Sequence, residues 1–396
     1  MAIQSQVKVL LASKEESTWG TAAGASGAQY MRHVSSSLQV IKDTYQSNEK
    51  RPDMQVYDMR HGFRRASGAV ESELSVATYD EWLQALLRGT WAAGISKGNA
   101  EFTSAAADNA TSKFTMGGGS LITEGFKIGD VVIFTGLSEA LNNNVNYIIT
   151  SLTATDMGVY PAPTDMTADA SFTVEVQGSK LINGTTNRSF TIEQIYPDID
   201  INELMTGMRV NQGQFRLPPS GLATCTWDFM GKDGAVASGG SAPYFSSPTA
   251  ATDTPILAAV SGACVIDGVA SSLITGIDFT ATNNMTTTPV VGTNGAPEIF
   301  YGRHVTTGTV SMYVESEDQI NYFLNESEIA ITVLMESPGS TPKDFLAFTF
   351  PRVKLSGVQK QIASEGGVIA SFPFQALLKG AADGYDATSW KIQRSN

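Results

Sequence analysis

Three histidines, His33, His61 and His304, carry the widest chemical repertoire in this chain, and no carboxylate or cysteine stands near them at metal-ligand spacing. His61 and His304 fall at matching places in two similar stretches, which favours a structural role near a strand start over two metal sites. Asp198, Asp200 and Glu203 could be imagined doing acid–base work or holding a cation. The alternation Ile199-Asp200-Ile201 instead predicts a strand with its acids outward. Gly117-Gly118-Gly119-Ser120 lacks the lysine and following helix of a phosphate loop, so it reads as a flexible loop. Serines are abundant, yet none sits in a nucleophile elbow or beside a recognisable base. Cys225 and Cys264 form neither a disulfide framework nor a CxxC metal motif. The chemistry-bearing residues predict no catalytic residue, no metal and no cofactor: a protein that is not an enzyme.

The elements around them point the same way. At 396 residues the chain is long enough for two or three domains. Only 16 % of residues are charged and 37 are glycine, a composition of sheets joined by turns. A net charge of −13 argues against a chain that grips nucleic acid with lysine and arginine. It fits equally an acidic soluble protein or a surface past which DNA slides. There is no apolar run of about eighteen residues, so no membrane insertion is expected. Val7–Ala12 is too short for a secretory core and reads as a strand or arm of a protein made in a cytoplasm.

The most informative feature is an internal repeat. Ser36, Ser37, Leu38, Asp43 and Asn48 recur 235 residues on as Ser271, Ser272, Leu273, Asp278 and Asn283. Arg60-His61 matches Arg303-His304, and Gly68-Ala69-Val70 matches Gly308-Thr309-Val310. Thr78-Tyr79-Asp80-Glu81 and Ser316-Glu317-Asp318-Gln319 both read as capping boxes. Each predicts a helix with one apolar face, through Trp82 and Leu86 or through Ile320 and Leu324. Strands alternate in both copies: Val70, Ser72 and Leu74 inward, then Val310, Met312 and Val314; Cys225, Trp227 and Phe229, then Ala370, Phe372 and Phe374. Each copy is expected to be an α+β sandwich with a flanking helix.

Inside the first copy, between its helix and its closing strands, lies an extra segment of short β runs, among them Val131-Val132-Ile133-Phe134, Tyr147-Ile148-Ile149 and Phe172–Val176. The expected organisation is a discontinuous first domain (1–97 and 184–245), an inserted small β-barrel or sandwich (98–183) and a second domain (246–396). The fold class is mainly β (α+β).

The stretches Glu15-Glu16-Ser17-Thr18-Trp19-Gly20-Thr21, Ser35–Leu38, Lys42–Glu49, Arg60-His61-Gly62, Ser67-Gly68 and Tyr79-Asp80-x-Trp82-Leu83-x-Ala85-Leu86-Leu87 together resemble a tail tube family of long-tailed siphophages. The likeness covers the first copy strongly, the second through the repeat and the insert only in outline. It implies a structural subunit of the virion tail, assembled in the host cytoplasm into stacked rings whose inner sheets line a DNA channel. It also implies self-association, a tape-measure protein in the lumen, tail terminator and distal proteins at the ends, and transient passage of double-stranded DNA.

Two such domains in one chain suggest trimeric, pseudo-hexameric rings, with the insert on the exterior. Lumen candidates are Glu71, Glu73, Thr224, Thr226 and Asp228, with Ser311 and Glu315; the bland alternative is an ordinary solvated face. Val40 to Arg60 and Thr275 to Arg303 are the candidate hairpins towards the next ring, with Asp43, Tyr45, Asn48, Arg51 and Asp53, then Asp278 and Asn283. The second loop is longer and lacks the Arg51-Pro52-Asp53 cluster, so equal roles are not expected. The competing reading is a capsid-decoration or receptor-binding module whose insert is the working part.

Overall fold

Alternating apolar and polar residues dictate sheets with one buried face. The computed structural model, which describes residues 3–339, 341–362, 366–381 and 384–395, is built that way. The first repeat runs β1 (Leu10–Glu15), β2 (Gln39–Gln46), β3 (Met59–Glu73), α1 (Asp80–Leu87), β4 (Phe190–Tyr196), β5 (Ile201–Leu217), β6 (Thr224–Gly231) and β7 (Asp233–Ser238). The second runs β8 (Gly262–Ile266), β9 (Ile274–Thr282), β10 (Val305–Tyr313), α2 (Asp318–Leu324), β11 (Ile329–Glu336), β12 (Phe345–Leu355), β13 (Gln359–Gln361), β14 (Ile369–Ala376) and β15 (Lys391–Arg394).

Pairing is antiparallel and repeats. The order is β1-β4-β5-β6-β3-β2 in the first half. It is β8-β11-β12-β14-β10-β9 in the second. β7 returns along the first half of β5, as β15 does along the first half of β12. Both long strands thus begin in an outer sheet. The second half of β5 crosses to an inner sheet, while β13 takes over from β12 along β14. The two repeats join where β5 pairs with β9, Gln212 opposite Thr282 through Leu217 opposite Ile277.

One core fills the space between the layers. Its centre is aromatic: Phe215 stacks on Phe279 with ring centres 4.7 Å apart, and both reach Phe348 and Trp390. In the first repeat α1 adds Trp82 and Leu86, fully buried, with Trp82 edge-on to Trp227 and Phe229. Each such side chain contributes roughly 1.5–3 kcal/mol of burial. The helix ends where Arg88 turns left-handed at φ +55°.

Several expectations are corrected here. No side chain caps α1; the Thr78 hydroxyl instead bonds Ser75 and Thr252, leaving the helix end to its packing. In the second repeat the return half of the box is present, since Gln319 Oε1 accepts the Glu315 amide at 3.0 Å and the Ser316 amide at 3.4 Å. Leu324 is 65 % exposed, so α2 does not bury the apolar face that α1 does. Ile199 and Asp200 lie in the turn before β5, with Asp200 at φ +54°, and not in a strand.

The identities 235 apart are also out of register. Ser35, Ser36, Gln39 and Val40 oppose Glu71, Val70, Ser67 and Ala66. Gly276, Ile277, Thr280 and Ala281 oppose Ser311, Val310, Thr307 and Thr306. With β3 and β10 matched at 308 − 68 = 240, these partners match at 276 − 35 = 241. The shift of six is even, so every side chain keeps its face, and face is what burial enforces.

The insert is an eight-stranded antiparallel sheet whose order has two free ends, so the closed-barrel form is not adopted. Its strands lie between Ser96 and Val176. Nearly all of them feed one core, including Phe102, Phe114, Phe134, Tyr147 and Val174, so the sheet must fold over on itself. The short strand Ser179–Ile182 pairs with β15 and with Ala92–Ala93, and so belongs to the body instead. The insert is docked on the body. Val131 and Ile148 pack on Val265, Leu334, Phe345 and Ala347, the outward side of β8, β11 and β12. Beside them, buried Lys391 pairs with buried Asp130 and with Asp386, which Lys180 also reaches. Burial works against the Lys391 charge, but the two carboxylates outweigh it and hold its pKa above the usual lysine value.

Candidate functional site

Strand pairing aligns one polar face across both repeats. Glu71 lies opposite Thr226, Thr226 opposite Gln214, Gln214 opposite Thr280 and Thr280 opposite Thr307. The next row is Glu73, Thr224, Arg216, Asp278 and Thr309. Asp228, opposite Gln212, and Ser311, opposite Ser371, lie on the same face. Five candidates from the first repeat are therefore brought together with Ser311, and the sheet is uninterrupted from β2 to β13. Glu315 stands apart: it is past the end of β10 and lines a cavity beneath α2 with Met312 and Tyr322.

Hydroxyl and amide side chains dominate the face. Glu71, Glu73, Asp228 and Asp278 are acids on it, Arg216 lies opposite Asp278, and Arg65 on β3 and Lys354, opposite Gln375, add cations towards its two ends. Burial raises the pKa of Asp228, an effect its Asn211 hydrogen bond only partly offsets. Sequence reading missed Gln212, Gln214, Arg216, Thr280 and Thr282, whose alternation with Gly213, Phe215 and Phe279 was a usable signal.

The two hairpins differ. Between β2 and β3 the tip is exposed throughout, with Met54 95 % and Tyr57 68 % exposed. Arg51 clasps Asp53 at 3.0 and 3.1 Å and lies over the Tyr57 ring. Tyr45 and Asn48 are exposed, while Asp43 is tied to Arg65 at 2.9 Å.

The loop between β9 and β10 folds back onto the first repeat. Glu298 pairs with Arg209 at 2.7 Å, Arg88 lies 4.5 Å from the centre of the Tyr301 ring, and the Arg64 amide bonds the Asn294 carbonyl. Asp278 is mid-strand on the polar face, and Asn283 is 1 % exposed; neither can serve on a protruding hairpin arm. Asn283 is a knot in which its amide donates to the Leu86 and Val210 carbonyls and its oxygen meets His304 Nδ1 at 2.9 Å.

His304 completes that knot. Trp390 Nε1–H donates to His304 Nε2 at 3.0 Å, so Nε2 is bare and Nδ1 carries the proton given to Asn283. Burial, then the charge of Arg88, lowers its pKa to about 4. His61, by contrast, is exposed, so the matched histidines do not share a role. Burial likewise raises the thiol pKa of Cys225 and Cys264. Among the described residues no three His, Cys, Asp or Glu side chains converge as a metal site.

The opening motif is another knot. Buried Glu16 accepts from the Gly20 and Gly207 amides and the Ser189 and Thr191 hydroxyls at 2.7–2.9 Å. Trp19 donates to the Gly207 carbonyl at 3.1 Å and lies under the Arg209 and Lys232 cations. A side chain at Gly20, φ +69°, would strike Lys232.

Among the described residues the site therefore offers no convergent reactive groups; it offers a broad polar face, an exposed hairpin and strand edges without a partner strand. A family model described as phage tail tube protein matches residues 6–376. No curated protein matches the chain.

Proposed function

The chain belongs to the phage tail tube protein family, and from that premise we propose that three copies close into a ring, and that stacked rings form the tube of a long, non-contractile tail. Double-stranded DNA passes through this tube at ejection. One observation carries the reading: the two repeats share a strand order and are already joined edge to edge, β5 to β9. One chain thus supplies two panels of a wall, and three chains supply six.

The polar face is the proposed lumen wall. A duplex presents about one phosphate charge per 1.7 Å, so a lysine-rich wall would hold it. Hydroxyls, amides and a few acids repel it weakly and let it slide. Before ejection the same bore holds the tape-measure protein, and terminator and distal proteins close its ends. The hairpin between β2 and β3, with Met54, Val56 and Tyr57 exposed, supports contact with the next ring. The insert sits on the outward side of β11 and β12, a full sheet layer away from the polar face, which supports an exterior position. The setting is the virion tail, built in the host cytoplasm.

Electron microscopy of concentrated protein tests this. Hollow cylinders with three chains per ring are expected. Six chains per ring, or a compact oligomer that never polymerises, as a decoration module would be, refutes it.

A further inference from the structure

We propose, resting on that ring reading, that the joint between chains copies the joint within the chain: β13 of one subunit pairs antiparallel with β2 of the next, Gln359 opposite Gln39. The inner sheet is continuous from β2 to β13, and among the described residues β2 pairs only with β3 and β13 only with β14. Its two outer edges therefore carry unsatisfied backbone donors and acceptors.

The register follows from the repeat. Gln214 lies opposite Thr226, which lies opposite Glu71; Gln359 lies opposite Ser371, which lies opposite Ser311. Glu71 and Ser311 are the matched positions of β3 and β10, so Gln359 takes the place of Gln214. Thr280 lies opposite Thr307 and Gln39 opposite Ser67, again matched positions, so Gln39 takes the place of Thr280. Within the chain Gln214 faces Thr280. Between chains Gln359 faces Gln39, Lys360 faces Leu38 and Val358 faces Val40.

The two joints differ in strength in a way that suits their tasks. Inside the chain the core side of the joint is the stacked pair Phe215 and Phe279. Between chains that position falls to Lys360 and Leu38. A three-residue strand bearing a lysine is a blunted edge, one that discourages premature pairing in the free subunit. The joint is heterologous, strand edge to a different strand edge, so it closes a ring where the rotation permits.

The test is cysteine cross-linking in assembled tubes. Gln39→Cys combined with Gln359→Cys should oxidise to a covalent ladder that stops at three chains, and neither single variant should form it. Gln39→Cys combined with Gln361→Cys, two residues out of register, should cross-link at least tenfold more slowly. On the unsubstituted protein, amide exchange at 37–41 and 358–361 should slow on assembly. Tubes that form without the first cross-link, a faster out-of-register pair, a ladder beyond three or unchanged exchange at both edges overturns the joint while leaving the tube reading intact. A wild-type chain that never polymerises overturns the tube reading itself.

Discussion

Acid should weaken the folded subunit through His304, by an amount its surroundings set. The ring is held neutral between a donor, Trp390 Nε1–H at 3.0 Å, and an acceptor, Asn283 Oδ1 at 2.9 Å. A second proton on Nε2 would point at the indole N–H. The folded pKa is about 4 against an ordinary 6.5, with burial the larger cause and Arg88 the smaller. Because the folded value is the lower one, the unfolded chain takes up a proton first. Stability from this group is whole above pH 6.5, falls as pH drops towards 4 and levels off below. At 1.36 kcal/mol per pK unit, the loss across that window is about 3 kcal/mol. Asp80 and Asp228 work in the opposite direction, since burial raises their pKa and the folded state binds their protons earlier. The comparison must therefore be a difference. Urea midpoints of the unassembled protein should be measured from pH 7 to 4 for wild type and for His304→Gln. The variant should start less stable by about 1–2 kcal/mol, having lost a buried hydrogen bond. Its decline over the window should be shallower by about 3 kcal/mol. Parallel curves, or an NMR titration that puts His304 near 6.5, refute the reasoning.

Other perturbations follow from the same contacts. Asp130→Ala strips buried Lys391 of one of its two carboxylates and should cost about 3 kcal/mol, seen as an earlier thermal transition and faster proteolysis where the insert docks. Glu16→Gln keeps the shape but turns an acceptor of four hydrogen bonds into a group that must also donate; about 2–4 kcal/mol of destabilisation is expected by urea unfolding. Replacing the tip residues 50–57 by a short Gly-Ser link should leave rings but abolish their stacking, and stacked tubes of normal length would contradict the hairpin's proposed contact. Glu71→Lys with Asp278→Lys should leave tubes intact yet slow DNA release from particles, and unchanged release kinetics would remove the electrostatic argument for the wall.

Much of this was legible in the sequence because burial is written in alternation. The faces of β3, β6, β10 and β14 could be read from Val70, Trp227, Val310 and Phe372, and the polar face was their complement. Pairing register was not legible. Five identities at one spacing outweighed the true match six residues away, because identity in short turn-rich strands carries little physical constraint. The first cap failed for a related reason: the Thr78 hydroxyl bonds Ser75 and Thr252 instead, and Thr252, 174 residues away, is not a partner a local motif can reveal. Glu16 and His304 were visible as letters of a motif and of a repeat, but not as the centres of hydrogen-bonded knots. Their partners, Gly207 and Trp390, lie 191 and 86 residues away.

The insert packs on the second repeat, against β8, β11, β12 and β15, and among the described residues no second insert of this kind sits on the first. A ring of three chains would therefore present six nearly equal panels to whatever fills its bore but only three projections to whatever grasps it from outside. Proteins that read the tail by its inner wall and those that read it by its rim would meet different rotational symmetries on one object. A cap plugging the bore could seat in any of six orientations, while a collar gripping the outside would have three.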